Sequence, residues 1–375
     1  GDFRFYLTGR TVWRSLLYMT ELFPDLGEQT ARLTVRLTAL RANYREVSHR
    51  ASPAAVAPVV KADSYGLGFE PISSMLARAG ADTFFVARLA EAISLRRVLP
   101  RARIFVLDGL TPGAAGAFVQ YRLTPVLNSY DEILEWSAFA RERGGRLDAA
   151  VHVDTGMNRS GLSRRELNQV AAQARELFDG VNLALVMSHL ACADDPLSPM
   201  NRTQLERFRA ALTLLPPAPA SLAASAGIHL GRDYLFDIVR PGLALYGGNP
   251  RAGEPNPYDV VARLTARILQ VRQAEIGETV GYGATFEARR PTVLATVAMG
   301  YADGMMRAMG RNGRVSLAGH KVPFAGRISM DLVTLDVTDV PAAARSRGGE
   351  VEFLGDGITL EEAARAAGSI NHEIL

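Results

Sequence analysis

The stretch APVVKADSYGLG, residues 57–68, joins an apolar run to a polar segment that contains glycines. The apolar run predicts a buried β-strand over residues 57–63, and the helical pattern at residues 71–79 completes a strand–helix unit. The same order recurs along the chain. Seven further strands are predicted at residues 83–87, 104–107, 123–127, 149–154, 183–189, 220–224 and 236–245, and helices at residues 89–99, 131–143, 165–178 and 202–215. Eight strands with crossover helices predict a (β/α)8 barrel, and a doubly wound open sheet, which gives a similar alternation, is the alternative.

A second domain is predicted after residues 247–257, a stretch rich in proline, glycine and asparagine. Helical patterns give way there to short strand-like runs, which marks a domain boundary. We therefore expect an N-terminal extension over residues 1–30, the barrel over residues 31–255 and a mostly β domain over residues 256–375. The strands of this last domain are predicted at residues 260–272, 292–299, 314–317, 332–337 and 350–354, with one helix at residues 360–367.

Composition excludes several classes of protein. The chain has 375 residues and one cysteine, Cys192, which can form neither an internal disulfide nor a cysteine-rich metal cage. Its six histidines show no HExxH spacing, so we predict no metal site. A net charge of only +3 does not favour nucleic-acid binding. The apolar stretch Val12–Phe23 is interrupted by Arg14 and Glu21 and is too short to span a membrane. We expect a cytoplasmic protein that binds neither nucleic acid nor membrane.

Lysine is almost absent from the chain. Lysine and arginine together number 42, yet the only lysines are Lys61 and Lys321. Lys61 ends the first predicted barrel strand, where desolvation should lower the pKa of its amine toward that of a group that forms imines. A lysine kept at this position suggests a task that guanidinium cannot perform. The alternative interpretation is an ordinary lysine whose charged end reaches solvent.

Polar residues also follow the last two predicted barrel strands. Ser225 precedes Ala226-Gly227, and Gly242 precedes Leu243, so hydroxyl and backbone N–H donors lie where barrels commonly hold a phosphate. Two tight turns are the alternative interpretation. Tyr65 either adds a phenolic donor to the same phosphate or covers the rim of the barrel.

The run VKADSYG, residues 60–66, resembles the pyridoxal-phosphate attachment motif of the alanine racemase family. The resemblance extends over residues 33–375 and implies an N-terminal barrel, a C-terminal β-domain and pyridoxal 5'-phosphate as the cofactor. It implies interconversion of L- and D-alanine, which supplies D-alanine for peptidoglycan, and a homodimer in which each active site joins the barrel of one subunit to the β-domain of the other. Seven further segments similar to the family occur in order, at residues 153–159, 187–189, 224–228, 240–243, 280–285, 300–304 and 326–331.

The resemblance also assigns roles to residues in both predicted domains. Lys61 corresponds to the lysine that attaches the cofactor and serves as the base on one face of the substrate, and Tyr282 corresponds to the base on the opposite face. A phenol needs nearby positive charge or hydrogen bonds to act near neutral pH. The other correspondences are cofactor contacts at Tyr65, His189, Ser225, Arg240, Gly242 and Leu243, and substrate contacts at Arg159, the backbone N–H of Met330, and Asp331.

Two of these cofactor contacts have a chemical rationale. Arg240 corresponds to the residue that faces the pyridine nitrogen. A carboxylate at this position would stabilise a protonated pyridine nitrogen, and a guanidinium that stays protonated cannot. The resemblance therefore implies a largely unprotonated ring and fewer side reactions such as transamination. His189 matches the family position that contacts the tyrosine base.

The sequence departs from the family pattern in two places. His152 stands where some members carry a carbamylated lysine that orients the arginine at position 159, so Arg159 must be held by another group or by a bound anion. The sequence also ends at residue 375, where the family usually continues with an arginine-containing strand and a tyrosine that helps to bind phosphate. If the protein stops here, we expect weaker cofactor retention.

Two other functions are compatible with a barrel that binds pyridoxal phosphate. A barrel-type pyridoxal-phosphate amino-acid decarboxylase shares the architecture, but Arg240 and the position of Cys192 within the barrel argue against it. A protein that binds the cofactor without racemase activity is the other alternative.

Overall fold

The structure is a computed structural model that describes residues 3–6, 30–251 and 253–375. The described residues form two compact units. One is Leu40–Asp259, and the other combines the residues up to Ala39 with Val260–Leu375. The apolar stretch Val12–Phe23 and most of the predicted N-terminal extension lie outside the described residues.

Eight parallel strands form a closed ring in the unit Leu40–Asp259. The second to seventh strands pair in sequence order in one sheet, and the first strand pairs with the eighth. Parallel bridges between Val59 and Phe85 and between Ala224 and Arg240 join the first strand to the second and the seventh to the eighth. The predicted barrel is confirmed, and the open-sheet alternative is wrong. The strands are Ala55–Val56, Thr83–Val86, Arg103–Val106, Thr124–Leu127, Leu147–His152, Val181–Met187, Ala220–Ser221 and Ile238–Val239.

Helices lie between most of these strands. The predicted helix at residues 165–178 is two helices, because the backbone of Gln173 leaves the helical region between them. The predicted strand at residues 236–245 is wrong in length, since Arg240-Pro241-Gly242 ends it and a 3-10 helix follows at Leu243–Tyr246. The α-helices of this unit are Leu37–Ala51, which begins in the other unit, Phe69–Arg78, Leu89–Val98, Ala115–Gln120, Tyr130–Arg143, Arg164–Ala172, Ala174–Leu177 and Pro199–Leu212.

Apolar side chains fill the inside of the barrel. Phe85 and Phe105 are fully buried and stack with their ring centroids 4.8 Å apart. Val59, Val126 and Leu185 belong to the same buried cluster. Barrel active sites lie beyond such a core, at the carboxyl ends of the strands.

The second unit is mostly β, as predicted, and its strands pair antiparallel. Its central strand, Ala262–Ala274, pairs with Ala31–Val35, Glu350–Leu354 and Thr292–Val297. Because Ala31–Val35 belongs to this sheet, the two units divide at residues 39 and 259. The other strands are Phe3–Tyr6, Thr279–Val280, Phe286–Glu287, Arg314–Leu317, His320–Pro323 and Val333–Asp336, and the helices are Met309–Asn312, Leu360–Ala367 and Asn371–Ile374.

None of the helices in the described ranges is long and apolar enough to cross a membrane. The described residues also contain no group of three or more histidine, cysteine, aspartate or glutamate side chains that could hold a metal ion.

Candidate active site at the carboxyl ends of the barrel strands

Lys61 follows the first barrel strand, at the start of a strained turn. The predicted strand at residues 57–63 is therefore too long at its carboxyl end, since the backbone turns left-handed from Ala62 onward. The backbone N–H of Val60 donates to Phe85 O at 2.9 Å, which fixes the strand up to that point. The next four residues after the half-buried Lys61, Ala62 to Tyr65, all have φ between 51° and 60°. Left-handed backbone costs roughly 1–2 kcal/mol for each residue other than glycine. Such a run persists only where its surroundings hold it.

Two carboxylates hold this turn, one at each end. Glu91 Oε1 accepts from the backbone N–H of Ala62 at 2.9 Å, and Asp63 Oδ1 accepts from that of Phe69 at 2.8 Å. Burial, opposed by the bond from Phe69, raises the pKa of Asp63, and the charge of Glu91 adds to the rise. Sequence reasoning did not find Glu91, because its partner lies in another strand–helix unit.

The predicted phosphate residues lie together. Ser225 Oγ accepts from the backbone N–H groups of Gly242 and Ala244, both at 3.1 Å. Because both lone pairs of this oxygen are used, its hydrogen remains for donation to a ligand. A Cβ on Gly242 would lie 2.1 Å from the hydroxyl of Tyr65, so only glycine fits beside the tyrosine. The ring of Tyr65 packs at 4.6 Å from that of Tyr246.

The state of Tyr65 suits an anion ligand. Burial raises the pKa of Tyr65 to about 12, so the phenol stays protonated at neutral pH and can donate a hydrogen bond. The hydroxyl groups of Tyr65 and Ser225 are two hydrogen-bond donors that fit a phosphate group. The donor set of the site therefore fits pyridoxal phosphate.

Arg240 is 3% exposed and has several partners at the ends of the sixth and seventh strands. Its guanidinium donates to Ser221 Oγ at 2.5 Å and to Ser188 O at 2.6 Å, and it lies 5.9 Å from the ring centre of Phe85. Burial lowers the pKa of Arg240 to about 9, which leaves the side chain cationic at neutral pH. A permanent positive charge therefore stands in the mouth of the barrel.

The guanidinium of Arg240 determines which nitrogen of His189 carries the hydrogen. The Arg240 guanidinium lies 3.5 Å from His189 Nδ1, which must accept, so Nε2 carries the hydrogen. Burial lowers the pKa of His189 to about 3, and the charges of Arg240, Arg159 and Lys61 contribute. His189 is therefore a neutral donor at working pH.

His152 is also held neutral, in the opposite tautomer. Asn128 Nδ2 donates to Leu107 O at 3.0 Å and to Val126 O at 2.8 Å, which leaves Asn128 Oδ1 as an acceptor. His152 Nδ1, 2.8 Å from that oxygen, must donate, and Nε2 keeps its lone pair. Burial lowers the pKa of His152 to about 4, with the charge of Arg240 as the next cause. Asn128 was not predicted, although it directly follows the fourth barrel strand.

The loop that carries Arg159 is organised by Asp154. Its Oδ1 accepts from the backbone N–H groups of Gly156 and Met157 at 2.8 and 2.9 Å, and its Oδ2 from Asn158 at 3.0 Å. Arg159 is exposed at the end of this loop. Its charge lowers the pKa of both His152 and His189, so all three belong to one cluster.

A buried polar network connects the loops after the fifth and sixth strands. Thr155 Oγ1 and Ser188 Oγ are 2.8 Å apart, and Gln204 Nε2 donates to Thr155 Oγ1 at 3.1 Å and to His189 O at 2.9 Å. All the polar groups of Gln204 lie inside the protein, since the residue is fully buried. The network fixes the backbone of His189 and sets the direction of its ring.

Tyr282, Met330 and Asp331 lie in the other unit, on adjoining loops. Tyr282 is 70% exposed and Met330 54%, which is unusual for large apolar side chains. A Cβ on Gly281 would lie 3.6 Å from the backbone N of Arg327, so the Tyr282 loop borders the segment that leads to Met330. The backbone N–H of residue 302 donates to Met330 O at 2.9 Å and brings a third loop to the same face.

Comparison with known protein families agrees with this layout. The alanine racemase N-terminal domain matches residues 35–250, and the alanine racemase C-terminal domain matches residues 261–375. The chain belongs to the alanine racemase family. It is an isomerase that interconverts L- and D-alanine with pyridoxal phosphate, as the sequence predicted, and the decarboxylase alternative is set aside.

Individual alanine racemases support the assignment. A catabolic alanine racemase of Agrobacterium fabrum is 47% identical over 93% of this chain and 90% of its own length. The biosynthetic alanine racemase of the same organism is also 47% identical, over 94% of each chain. The alanine racemase of Bartonella henselae, solved with covalently bound pyridoxal phosphate, is 38% identical, with a TM-score of 0.89 over 92% of this chain and 96% of that one.

Proposed function

We propose that Lys61 and Tyr282 are the two bases of the racemisation. Inversion at the α-carbon requires a proton to leave one face and another to arrive on the opposite face, and two groups on opposite faces achieve this without any group crossing the substrate. The observation that carries the proposal is the position of Lys61 at the mouth of a closed barrel, on a turn held under strain beside Arg240 and His189.

The cofactor residues are proposed from the donors that surround Lys61. Lys61 binds the cofactor covalently, and the hydroxyl groups of Tyr65 and Ser225, with the backbone at Gly242 and Leu243, hold its phosphate. When bound, pyridoxal phosphate supplies an electron sink that acidifies the α-proton of the amino acid. The remaining steps depend on the groups of the protein itself.

Arg240 acts on the ring of the cofactor in this proposal. With pyridoxal phosphate bound, the cationic guanidinium would face the pyridine nitrogen as a hydrogen-bond donor and would favour the unprotonated form of that nitrogen. Ser221 and the carbonyl of Ser188 hold the guanidinium in place. His189, which keeps its hydrogen on Nε2, would donate that hydrogen toward the phenol oxygen of the Tyr282 that the partner subunit would supply.

Substrate binding is proposed for Arg159, the backbone N–H of Met330 and Asp331. Arg159 pairs with the carboxylate of alanine, and the Met330 N–H adds a second donor. His152 offers Nε2 as a neutral acceptor in the same cluster as Arg159. This lone pair takes over the support that a carbamylated lysine supplies in some members of the family.

A homodimer with shared active sites is also proposed. Tyr282 and Met330 expose large apolar surface on one face of their unit, which is typical of a surface that another protein covers. If the partner supplies Tyr282 to the barrel, a mixture of Lys61→Ala and Tyr282→Phe chains should recover about a quarter of the wild-type activity after reassortment, since half of the sites in each mixed dimer are intact. No recovery would contradict shared sites.

We place the enzyme in the cytoplasm and propose that its D-alanine supplies peptidoglycan. The relatives named catabolic and biosynthetic match at the same identity, so the sequence does not separate the two roles. Deletion of the gene should make growth depend on added D-alanine. Unchanged growth without it would argue for a catabolic role.

The direct test of the residue roles is reaction of the purified enzyme with L-alanine in deuterated water. The wild type should form D-alanine that carries deuterium at the α-carbon, and Lys61→Ala should form none. Lys321→Arg is the matched control, because Lys321 is paired with Glu362 in the other unit and has no role in the reaction. Equal loss in both variants, or full activity of Lys61→Ala, would contradict the assignment. Cofactor binding without D-alanine would favour the non-racemase alternative.

A further inference from the structure

Three helices of the barrel have a glutamate at their third residue. These are Glu91 in Leu89–Val98, Glu132 in Tyr130–Arg143 and Glu166 in Arg164–Ala172. A glutamate at this position commonly accepts from the backbone that enters its own helix. In this barrel each carboxylate also accepts a hydrogen bond from a backbone N–H in the segment that follows an earlier strand.

Glu166 illustrates the arrangement away from the cofactor residues. Its Oε2 accepts from the backbone N–H and the hydroxyl of Ser163, at 2.9 and 2.6 Å, and its Oε1 from the backbone N–H of Tyr130 at 3.3 Å. The carboxylate therefore connects two successive strand–helix units. Glu132 likewise connects two strand–helix units, because its Oε2 accepts from the backbone N–H groups of Asn128 and Leu110.

Glu91 makes the same kind of connection, but its distant partner is the peptide that follows Lys61. Its Oε2 accepts from the backbone N–H groups of Ala87 and Arg88, at 2.9 and 3.1 Å. Its Oε1 accepts from Ala62 N–H at 2.9 Å. Ala62 is the first of the four left-handed residues, so this hydrogen bond constrains the strained turn directly after Lys61.

We infer that Glu91 is a positioning residue for Lys61: its carboxylate holds the left-handed turn and thereby fixes the direction of the lysine side chain. The inference rests on the proposed attachment of the cofactor to Lys61. Without the carboxylate, the N–H of Ala62 loses a charged acceptor, and right-handed or extended backbone becomes the favoured state of the turn. The amine of Lys61 then samples several positions, and attachment of the cofactor becomes less favourable.

The test compares Glu91→Gln with Glu166→Gln, which removes one charge from an equivalent connection. Because the chain has only two lysines, attachment to each is counted by borohydride reduction and peptide mass spectrometry. Glu91→Gln should weaken attachment at Lys61 by about tenfold or more, and Glu166→Gln by less than about twofold. In the protein without cofactor, the rate at which an amine reagent modifies Lys61, relative to Lys321, should change in Glu91→Gln alone. Equal effects of the two substitutions on attachment would overturn the inference.

A second substitution separates positioning from general loss of stability. Ala62 is exposed, so Ala62→Gly removes little packing and makes left-handed backbone easier to adopt. Glycine at residue 62 should therefore restore most of the attachment lost in Glu91→Gln and change the wild type little. Absence of rescue in the folded double variant, as judged by circular dichroism, would overturn the inference. Cofactor found on Lys321, or on neither lysine, in the wild type would instead refute the proposed function.

Discussion

Gly242→Ala tests the close approach of the phosphate residues. The new Cβ would lie 2.1 Å from the Tyr65 hydroxyl oxygen and 2.8 Å from its Cζ. To restore a separation of 3.0 Å, the hydroxyl must move by about 0.9 Å. Tyr65 cannot turn freely, because its ring packs against Tyr246. The hydroxyl therefore moves away from its position beside Gly242.

The size of the effect follows from the cost of overpacking. Inserting a methyl group into a packed site costs about 1–3 kcal/mol. If the cofactor requires the native position of Tyr65, the binding free energy becomes less favourable by this cost. The dissociation constant for pyridoxal phosphate then rises roughly 5- to 150-fold. The effect should come through the hydroxyl, so the same substitution should cost less in a Tyr65→Phe background.

The assay is titration of the cofactor-free protein with pyridoxal phosphate, with tryptophan fluorescence as the signal. It compares the wild type, Gly242→Ala, Tyr65→Phe and the double variant. Gly145→Ala is the matched control, since a Cβ there meets nothing within 4 Å and the backbone is ordinary. It should leave the dissociation constant unchanged. An unchanged constant in Gly242→Ala, or the same increase with Phe at residue 65, would refute the reasoning.

Three further predictions concern the same site. Lys61→Arg keeps the charge but cannot form an imine, so borohydride should fix no cofactor; a retained adduct, seen by mass spectrometry, would contradict the role of Lys61. Ser225→Ala removes an acceptor of two N–H groups and should weaken cofactor binding by about tenfold in the same titration, whereas unchanged binding would place the phosphate elsewhere. Folding lowers the pKa of His152 to about 4 and that of His189 to about 3, so below pH 6.5 the unfolded chain binds more protons than the folded chain. The free energy of unfolding should therefore decrease as the pH is lowered, by at most about 1.4 kcal/mol per pH unit for each histidine. His152→Asn should lower this slope in urea unfolding between pH 6.5 and pH 4, and an unchanged slope would mean that residue 152 titrates normally.

The sequence was sufficient for the barrel and for most of the residues near Lys61. Apolar runs in alternation with helical patterns depend on local periodicity, which is readable from one sequence. Once the strands are known to be parallel, their carboxyl ends share one face, so Ser225, His189 and Arg240 were expected to lie near Lys61. In the structure Arg240 lies 3.5 Å from His189 Nδ1, and the charge of Lys61 contributes to the low pKa of His189.

The groups that hold those residues could not be predicted. Of the four residues in the left-handed turn Ala62–Tyr65, all but Asp63 belong to types that rarely adopt this backbone. One of the bonds that hold the turn comes from Glu91, 29 positions away, which accepts from its first N–H. The tautomer of His152 depends on Asn128, whose own orientation is fixed by two carbonyls from different strands. Contacts of this kind arise from tertiary structure and leave no periodic signal.

The two-base proposal is tested most directly by the stereochemistry of exchange in Tyr282→Phe. The variant keeps Lys61, so one enantiomer of alanine should still exchange its α-proton with deuterated water and keep its configuration. The other enantiomer should exchange far more slowly, and neither should be converted into the other. Chiral chromatography with mass spectrometry gives both quantities at once. Racemisation at the wild-type rate, or equal exchange of both enantiomers, would contradict the proposal that Tyr282 serves one face and Lys61 the other.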